Sequence, residues 1–224
     1  MAFSGFSDET LAFLAELADN NDRAWFAENK PRYERVLLER QKGFVAALGK
    51  EFEAIDPRVH CEPAVDRSIF RINRDTRFSR DKSPYKTHSD MWFWSGDDRK
   101  ASPGYFVRIV PGEVWAGAGQ HWIDPPKLAK LRAAIAAEDT GAEFAAIIAD
   151  LEADGFHIGE RTFARVPRGF AADHPRADLL RLSVVHAIEE GPVPPEFESE
   201  AFVGWCLERF LRTRPLVEWL AKNL

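Results

Sequence analysis

The spacing of apolar residues changes near the middle of the chain and then changes back, and this constrains the fold more than any motif does. Met91 to Trp94, Tyr105 to Val110 and Val114 to Ala118 are short aromatic or β-branched runs, the composition that suits a pleated strand. Pro111-Gly112 sits between the second and third, where a hairpin needs a turn. On the N-terminal side the period is helical. Leu11, Leu14, Leu17 and Ala18 recur behind Ser7-Asp8-Glu9, where a hydroxyl can cap and acids favour the positive helix end. After the Asn20-Asn21-Asp22 break, Trp25 and Phe26 open a second helical stretch, which Pro31 is expected to divide. One long amphipathic helix is then expected from Tyr33 through Val36, Phe44, Leu48 and Ile55 to a stop at Asp56-Pro57.

Beyond the strands, Asp124-Pro125-Pro126 starts a helix carrying Leu128, Leu131 and Ile135, and Thr140-Gly141-Ala142-Glu143 reads as a capping box for a second, closed by Gly155. Phe156 to Val166 and Val184 to Ile188 are further expected strands, with Pro167-Arg168-Gly169-Phe170 and a short helix around Leu179 and Leu180 between them. Gly191 to Pro195 reads as a connector. Phe202, Trp205, Cys206 and Phe210 share one face of a final helix, and Leu216, Trp219 and Leu220 follow after Thr213-Arg214-Pro215. The expected class is α+β: a central, mostly antiparallel sheet flanked by N-terminal, middle and C-terminal helices, without the strict β-α-β alternation of a nucleotide-binding sheet. Residues 1–224 read as a single domain: helical over 1–57, strand-rich over 58–122, a helical pair over 124–154, and strands with C-terminal helices over 155–224.

Composition excludes several classes. A formal net charge of −6 argues against a surface adapted as a whole to nucleic acid, while leaving room for a local basic patch. Cys61 and Cys206, the two cysteines, form neither a disulfide framework nor a zinc cage, so a reducing, cytoplasmic compartment is expected. No apolar run approaches the roughly 18 residues of a membrane span, and Met1 to Thr10 lack the pattern of a secretory leader, so a soluble, unprocessed protein is expected. His60-Cys61-Glu62 offers three ligand types on adjacent residues that point apart, so no metal is expected. Gly117-Ala118-Gly119 lacks the third glycine and following helix of a phosphate-binding fingerprint and reads as a bend or bulge in a strand. No cofactor is implied.

One segment reverses the sign of the charge. From Arg67 to Lys86 there are seven basic residues and two acids, a local net of +5, which leaves −11 on the remainder. Such a concentration requires compensation, either by acidic side chains of the same fold or by an external anion. Five of the seven are arginines, whose planar fork can grip a carboxylate or phosphate through two parallel hydrogen bonds.

The run Arg71-Ile72-Asn73-Arg74-Asp75-Thr76-Arg77-Phe78-Ser79-Arg80-Asp81-Lys82-Ser83-Pro84-Tyr85 resembles the signature of the bacterial family called domain of unknown function 2461, in which Arg, Arg-Asp, Arg-Phe, Lys and Tyr recur at this spacing. Trp25-Phe26 with Lys30 and Tyr33, and Pro167-Arg168-Gly169-Phe170 with Asp173-His174-Pro175, extend the likeness over the chain. The resemblance implies kinship and carries no reaction with it.

Read from the residues alone, the signature leaves two arrangements open. If extended, Arg71, Asp75 and Arg77 share one face; if helical, Arg67, Arg71 and Arg74 line one. Ser79 to Lys86 reads as a loop, because Pro84 pushes Ser83 out of the helical region. The leading expectation is a basic pocket that binds a small phosphate- or carboxylate-bearing molecule through Arg71, Arg74, Arg77, Lys82 and Lys86, with Arg168 from the second polar cluster beside Arg165 and His174. Were the site catalytic, Tyr85 is the candidate proton donor, since flanking lysines favour its phenolate, and Asp75 or Asp81 is the base or orienter, with His88 as a second acid or base. Three readings compete with it. One is a lattice of internal salt bridges. Another is a nucleic-acid interface that stacks bases on Trp92 or Trp94, although bulky residues on both strand faces fit a buried central strand better. The last is a module whose basic loop docks an acidic protein partner.

Overall fold

The computed structural model describes residues 3–159 and 161–224. The chain is α+β, with a six-stranded antiparallel sheet in the order β1-β2-β3-β4-β6-β5. The strands are β1 (Val59–His60), β2 (Ser89–Ser95), β3 (Gly104–Val110), β4 (Glu113–Gln120), β5 (His157–Ile158) and β6 (Val185–Pro192). The three expected central strands are present, and Gly112 takes φ +86° in the turn joining β3 to β4. β2 lies between β1 and β3, and its Phe93 and Trp94 are buried while Trp92 is half-buried. Gly117 in β4 has a packing role: a Cβ there would stand 2.1 Å from the Ala187 carbonyl oxygen of β6.

The helices are α1 (Asp8–Asp19), α2 (Arg23–Tyr33), α3 (Glu39–Ile55), α4 (Pro125–Ala136), α5 (Glu138–Ala153) and α6 (Ala201–Asn223). By contacts the chain divides into two compact units, one of residues 3–93, 106–116 and 190–208, the other of 94–105, 117–159, 161–189 and 209–224. The first has an aromatic core. Phe44 packs against Phe3 at 5.4 Å, Phe202 at 5.4 Å and Phe93 at 6.2 Å between ring centres, and burying one such ring stabilises the fold by roughly 1.5–3 kcal/mol. The second is built from Leu131, Ile135, Phe144 and Ile148 of α4 and α5 with Val185 and Ala187 of β6 and Trp219 of α6. There the Trp219 indole donates to the Thr140 carbonyl at 3.0 Å.

Five expectations need correction. Pro31 does not divide the second helix. It sits inside α2, and the chain winds on through a π-helical turn at Glu34–Leu38 into α3, because burial of Tyr33, Val36 and Leu37 outweighs one lost backbone bond. Thr213-Arg214-Pro215 likewise lies within the continuous α6. Thr140 is not a cap: α5 begins two residues earlier behind Ala137, and the Thr140 hydroxyl donates to the Ala134 carbonyl at 2.7 Å. The strand expected over Phe156 to Val166 shrinks to His157–Ile158. Residues 161–166 are irregular and pinned by side chains, with Arg161 paired to Asp178 at 2.8 Å and to Glu152 at 3.2 Å; Glu160 lies outside the described residues. The connector expected at Gly191 starts later, since β6 runs to Pro192.

Candidate functional site

The basic signature lies between β1 and β2, in the first unit, and is neither a strand nor a helix. Its entry is anchored by burial: Ile69 is fully enclosed and bridges to Met91, and Ile72 is buried. Its base is closed by backbone. Asn73 bridges to Tyr85, the Arg74 N–H donates to the Pro84 carbonyl at 2.9 Å, and the Lys86 N–H donates to the Ile72 carbonyl at 2.8 Å. Residues 75–83 therefore form a loop on a fixed base.

Polar side chains hold that loop in shape. Arg74 is its spoke, bonded to the Asp81 carboxylate, to the Ser83 carbonyl at 3.2 Å and to the Ser79 hydroxyl at 3.5 Å. Lys82 Nζ donates across the loop to the Thr76 carbonyl at 2.8 Å. Asp81 Oδ1 accepts from the Ser83 backbone at 2.9 Å and from its hydroxyl at 2.6 Å. These bonds, led by the Ser83 hydroxyl, and the Arg74 guanidinium hold the Asp81 carboxyl well below the usual carboxylate range. Arg77 grips Asp75 with Nε at 3.0 Å and Nη2 at 2.7 Å. That side-chain bond, with the Arg77 backbone N–H, brings Asp75 down to about 2, and a carboxylate so acidic is a weak proton acceptor at neutral pH.

A cavity of about 410 Å³ opens between this loop and the start of α2. Asn21, Asp22 and Arg23 line it from one side, Asn73, Arg74 and Thr76 from one arm of the loop, and Lys82, Pro84 and Tyr85 from the other. The break before α2 turns out to be a clamp. Asn21 donates through Nδ2 to the Tyr85 carbonyl and accepts from the Tyr85 N–H through Oδ1, each at 3.0 Å, so its amide pairs with the loop as a strand backbone would. Asp22 Oδ1 caps α2, accepting from the backbone N–H groups of Ala24 at 2.8 Å and Trp25 at 3.0 Å. The Tyr85 ring is buried and stacks on Phe26 with centres 4.1 Å apart.

The lining carries three cations and one acid, and that acid is spent on the helix cap. Arg74 is held by Asp81. Lys82 is bonded only to a carbonyl oxygen, and Arg23 is exposed without an ionic partner among the described residues. These two are the cations available to a visitor.

Of the residues singled out in the sequence, Arg74, Lys82 and Tyr85 come together around this cavity, whereas Asp75, Arg71, Arg77, Lys86 and Arg168 do not line it. Arg71 is exposed, 3.9 Å from Asp66. Lys86 turns to Asp90 at 3.3 Å and lies over the Phe70 ring at 5.0 Å. Arg168 belongs to the second unit and is exposed, as is Arg165, while His174 Nδ1 accepts from the Arg176 backbone at 3.0 Å. His88 joins a separate cluster, its Nε2 3.2 Å from Asp90, which also accepts from Arg108 Nε at 2.6 Å. Asn21, Arg23 and Asn73 carry no role in the sequence reading: the signal for the first two is the polar run Asn20-Asn21-Asp22, which reads only as a helix break, and Asn73 stands within the signature between Ile72 and Arg74. Among the described residues no group of three or more His, Cys, Asp or Glu could hold a metal ion. Neither Cys61 nor Cys206 is in a disulfide, and burial pushes the Cys61 thiol up to about 12. Among the described residues no helix is long and apolar enough to cross a membrane.

Comparison with known proteins adds one finding. The family described as "conserved hypothetical protein (DUF2461)" matches residues 9–219, nearly the whole chain. The chain belongs to DUF2461. The family that the run Arg71 to Tyr85 suggested is thus the family of the chain, and in this DUF2461 member that run forms the closed loop described above. No curated protein and no solved structure matches the chain.

Proposed function

We propose that the cavity between the signature loop and the start of α2 binds a small anionic molecule, a phosphate or carboxylate, in a bacterial cytoplasmic protein. The observation behind this reading is the imbalance of its lining: Arg23, Arg74 and Lys82 face one acid, Asp22, whose carboxylate is committed to two backbone N–H groups. The positive end of α2 adds to the field in the same place. Arg74 acts as a fixed wall. Lys82 and Arg23 supply the positive charge that no carboxylate neutralises, and Tyr85 and Asn73 supply neutral polar surface for orientation. The distribution of ion pairs weighs on the other side, because Arg67, Arg71, Arg74 and Arg77 each have a carboxylate of their own within 4 Å. Most of the arginines are therefore read as scaffold, and the binding function narrows to the two cations without acids. Tyr85 lines the cavity and keeps its place as the candidate proton donor if bound ligand is turned over, while Asp75, held in the Arg77 fork, does not serve as its base.

The test is a thermal-shift and calorimetric titration with inorganic phosphate, pyrophosphate and citrate. A ligand specific to the folded state raises the melting temperature by mass action. The double variant Arg23→Ala with Lys82→Ala is expected to melt as the parent does and to lose that shift. No shift at millimolar anion, or a shift that survives the double variant, would refute the proposal.

A further inference from the structure

We infer that the outer end of the same loop is a stacking tip for single-stranded nucleic acid, with Phe78 as the platform. Phe78 is 95% exposed, and among the described residues no other large apolar side chain is so fully in water. A ring in that position adds nothing to the core. Its support is nonetheless rigid, since the loop is tied across by Lys82 to Thr76 and by Arg74 to Asp81, Ser83 and Ser79. An aromatic side chain held out on a braced loop is pre-organised for contact.

What surrounds the ring specifies the partner. The Arg77 guanidinium stands on one side of the ring, 5.8 Å from its centre, and at 95% exposure the ring keeps an open face. Arg80 is exposed and has no ionic partner among the described residues. Five cations and two acids leave +3 between Arg71 and Lys82. Eight residues earlier the pattern recurs, with Phe70 38% exposed and Lys86 over its ring. An open π-face beside surplus cations is the chemistry of a base and its phosphates. A duplex keeps its base faces inside the stack, so a protruding ring reaches them in a single strand. An anionic bilayer would attract the same cations, but Asp75 and Asp81, held ionised by Arg77 and Ser83, would have to enter the interface beside Phe78. Trp92 and Trp94, the aromatic pair that the sequence offered for stacking, are half-buried and buried in β2.

The stacking tip stands apart from the anion cavity, whose lining includes neither Phe78 nor Arg80, although Arg74 and Lys82 serve both. It is tested by fluorescence anisotropy of a labelled 12-nucleotide oligothymidylate and oligouridylate at low salt. The parent chain is expected to bind with a log–log salt slope of about −2, from roughly 0.7 per neutralised phosphate and three surplus cations. Phe78→Ala is expected to weaken binding about ten-fold with an unchanged melting curve, while Phe78→Trp retains it. The inference is overturned if the parent chain ignores both oligonucleotides, if Phe78→Ala binds as well as the parent, or if the parent sediments only with phosphatidylglycerol vesicles.

Discussion

Asp90 shows how much one carboxylate can organise. Lys86, His88 and Arg108 all converge on it, while Arg108 also lies over the Trp115 ring at 5.0 Å. Burial alone would raise its pKa, but the bonds from His88 and Arg108 outweigh that and hold the carboxyl well below the usual range. Because the folded value is depressed, the stabilisation is present above the ordinary carboxylate pKa and is lost as pH falls through the folded one. Asp90→Asn removes the charge while Lys86 and Arg108 remain, and it is expected to cost about 2 kcal/mol in urea denaturation at neutral pH. Asp75→Asn, by contrast, breaks a pair standing in water, and calorimetry should find the melting temperature little changed. Asn21→Ala deletes both bonds to the Tyr85 backbone and is expected to cost about 1–2 kcal/mol by the same urea measurement.

Among the elements, β4 and α6 make the sharpest claims. Gly117→Ala would set a methyl group 2.1 Å from the Ala187 carbonyl oxygen, and β4 and β6 would have to separate at a cost of about 3 kcal/mol, read by chemical denaturation. Pro215 sits inside α6, where it can donate no backbone bond. Because the helix is continuous, Pro215→Ala restores that donor and is expected to stabilise the chain by about 1 kcal/mol, read by chemical denaturation; destabilisation would show that the ring is needed where it stands. The sequence made α1, the β2 to β4 run and the Asp124 cap of α4 legible, because local periodicity and capping chemistry agree there with burial. It misled at Pro31, Thr140 and Pro215, where a residue with a local preference is overruled by the buried apolar residues that flank it in the helix, such as Tyr33, Phe144 and Leu216. It misled again at 161–166, where Thr162, Phe163 and Val166 have the composition of a strand but the segment is held by Arg161 and Arg181, the latter donating to the Phe163 carbonyl at 2.6 Å.

For the molecule as a whole, the ion pairs predict a one-sided response to pH. The carboxyls of Asp75, Asp81 and Asp90 are all held below the ordinary carboxylate range, and for Asp75 the folded value is about 2. Stability is therefore expected to hold as pH falls from 7 to about 4 and to drop between about 4 and 2, followed by circular dichroism across that range. Raised ionic strength should screen the exposed pairs of the loop more than the Asp90 cluster. The signature itself was visible as a reversal of charge, but the half of the site contributed by Asn21 and Arg23 was not, because no local pattern says that an amide 64 residues upstream will pair with Tyr85. The π-helical turn at Glu34–Leu38 bears on chain length. A helix wound one residue wider than the α repeat holds a spare position, so kin lacking a residue between Tyr33 and Glu39 can wind as plain α-helix and keep the neighbouring faces inward. Gaps within the family should gather at that turn and avoid the regular helix on either side.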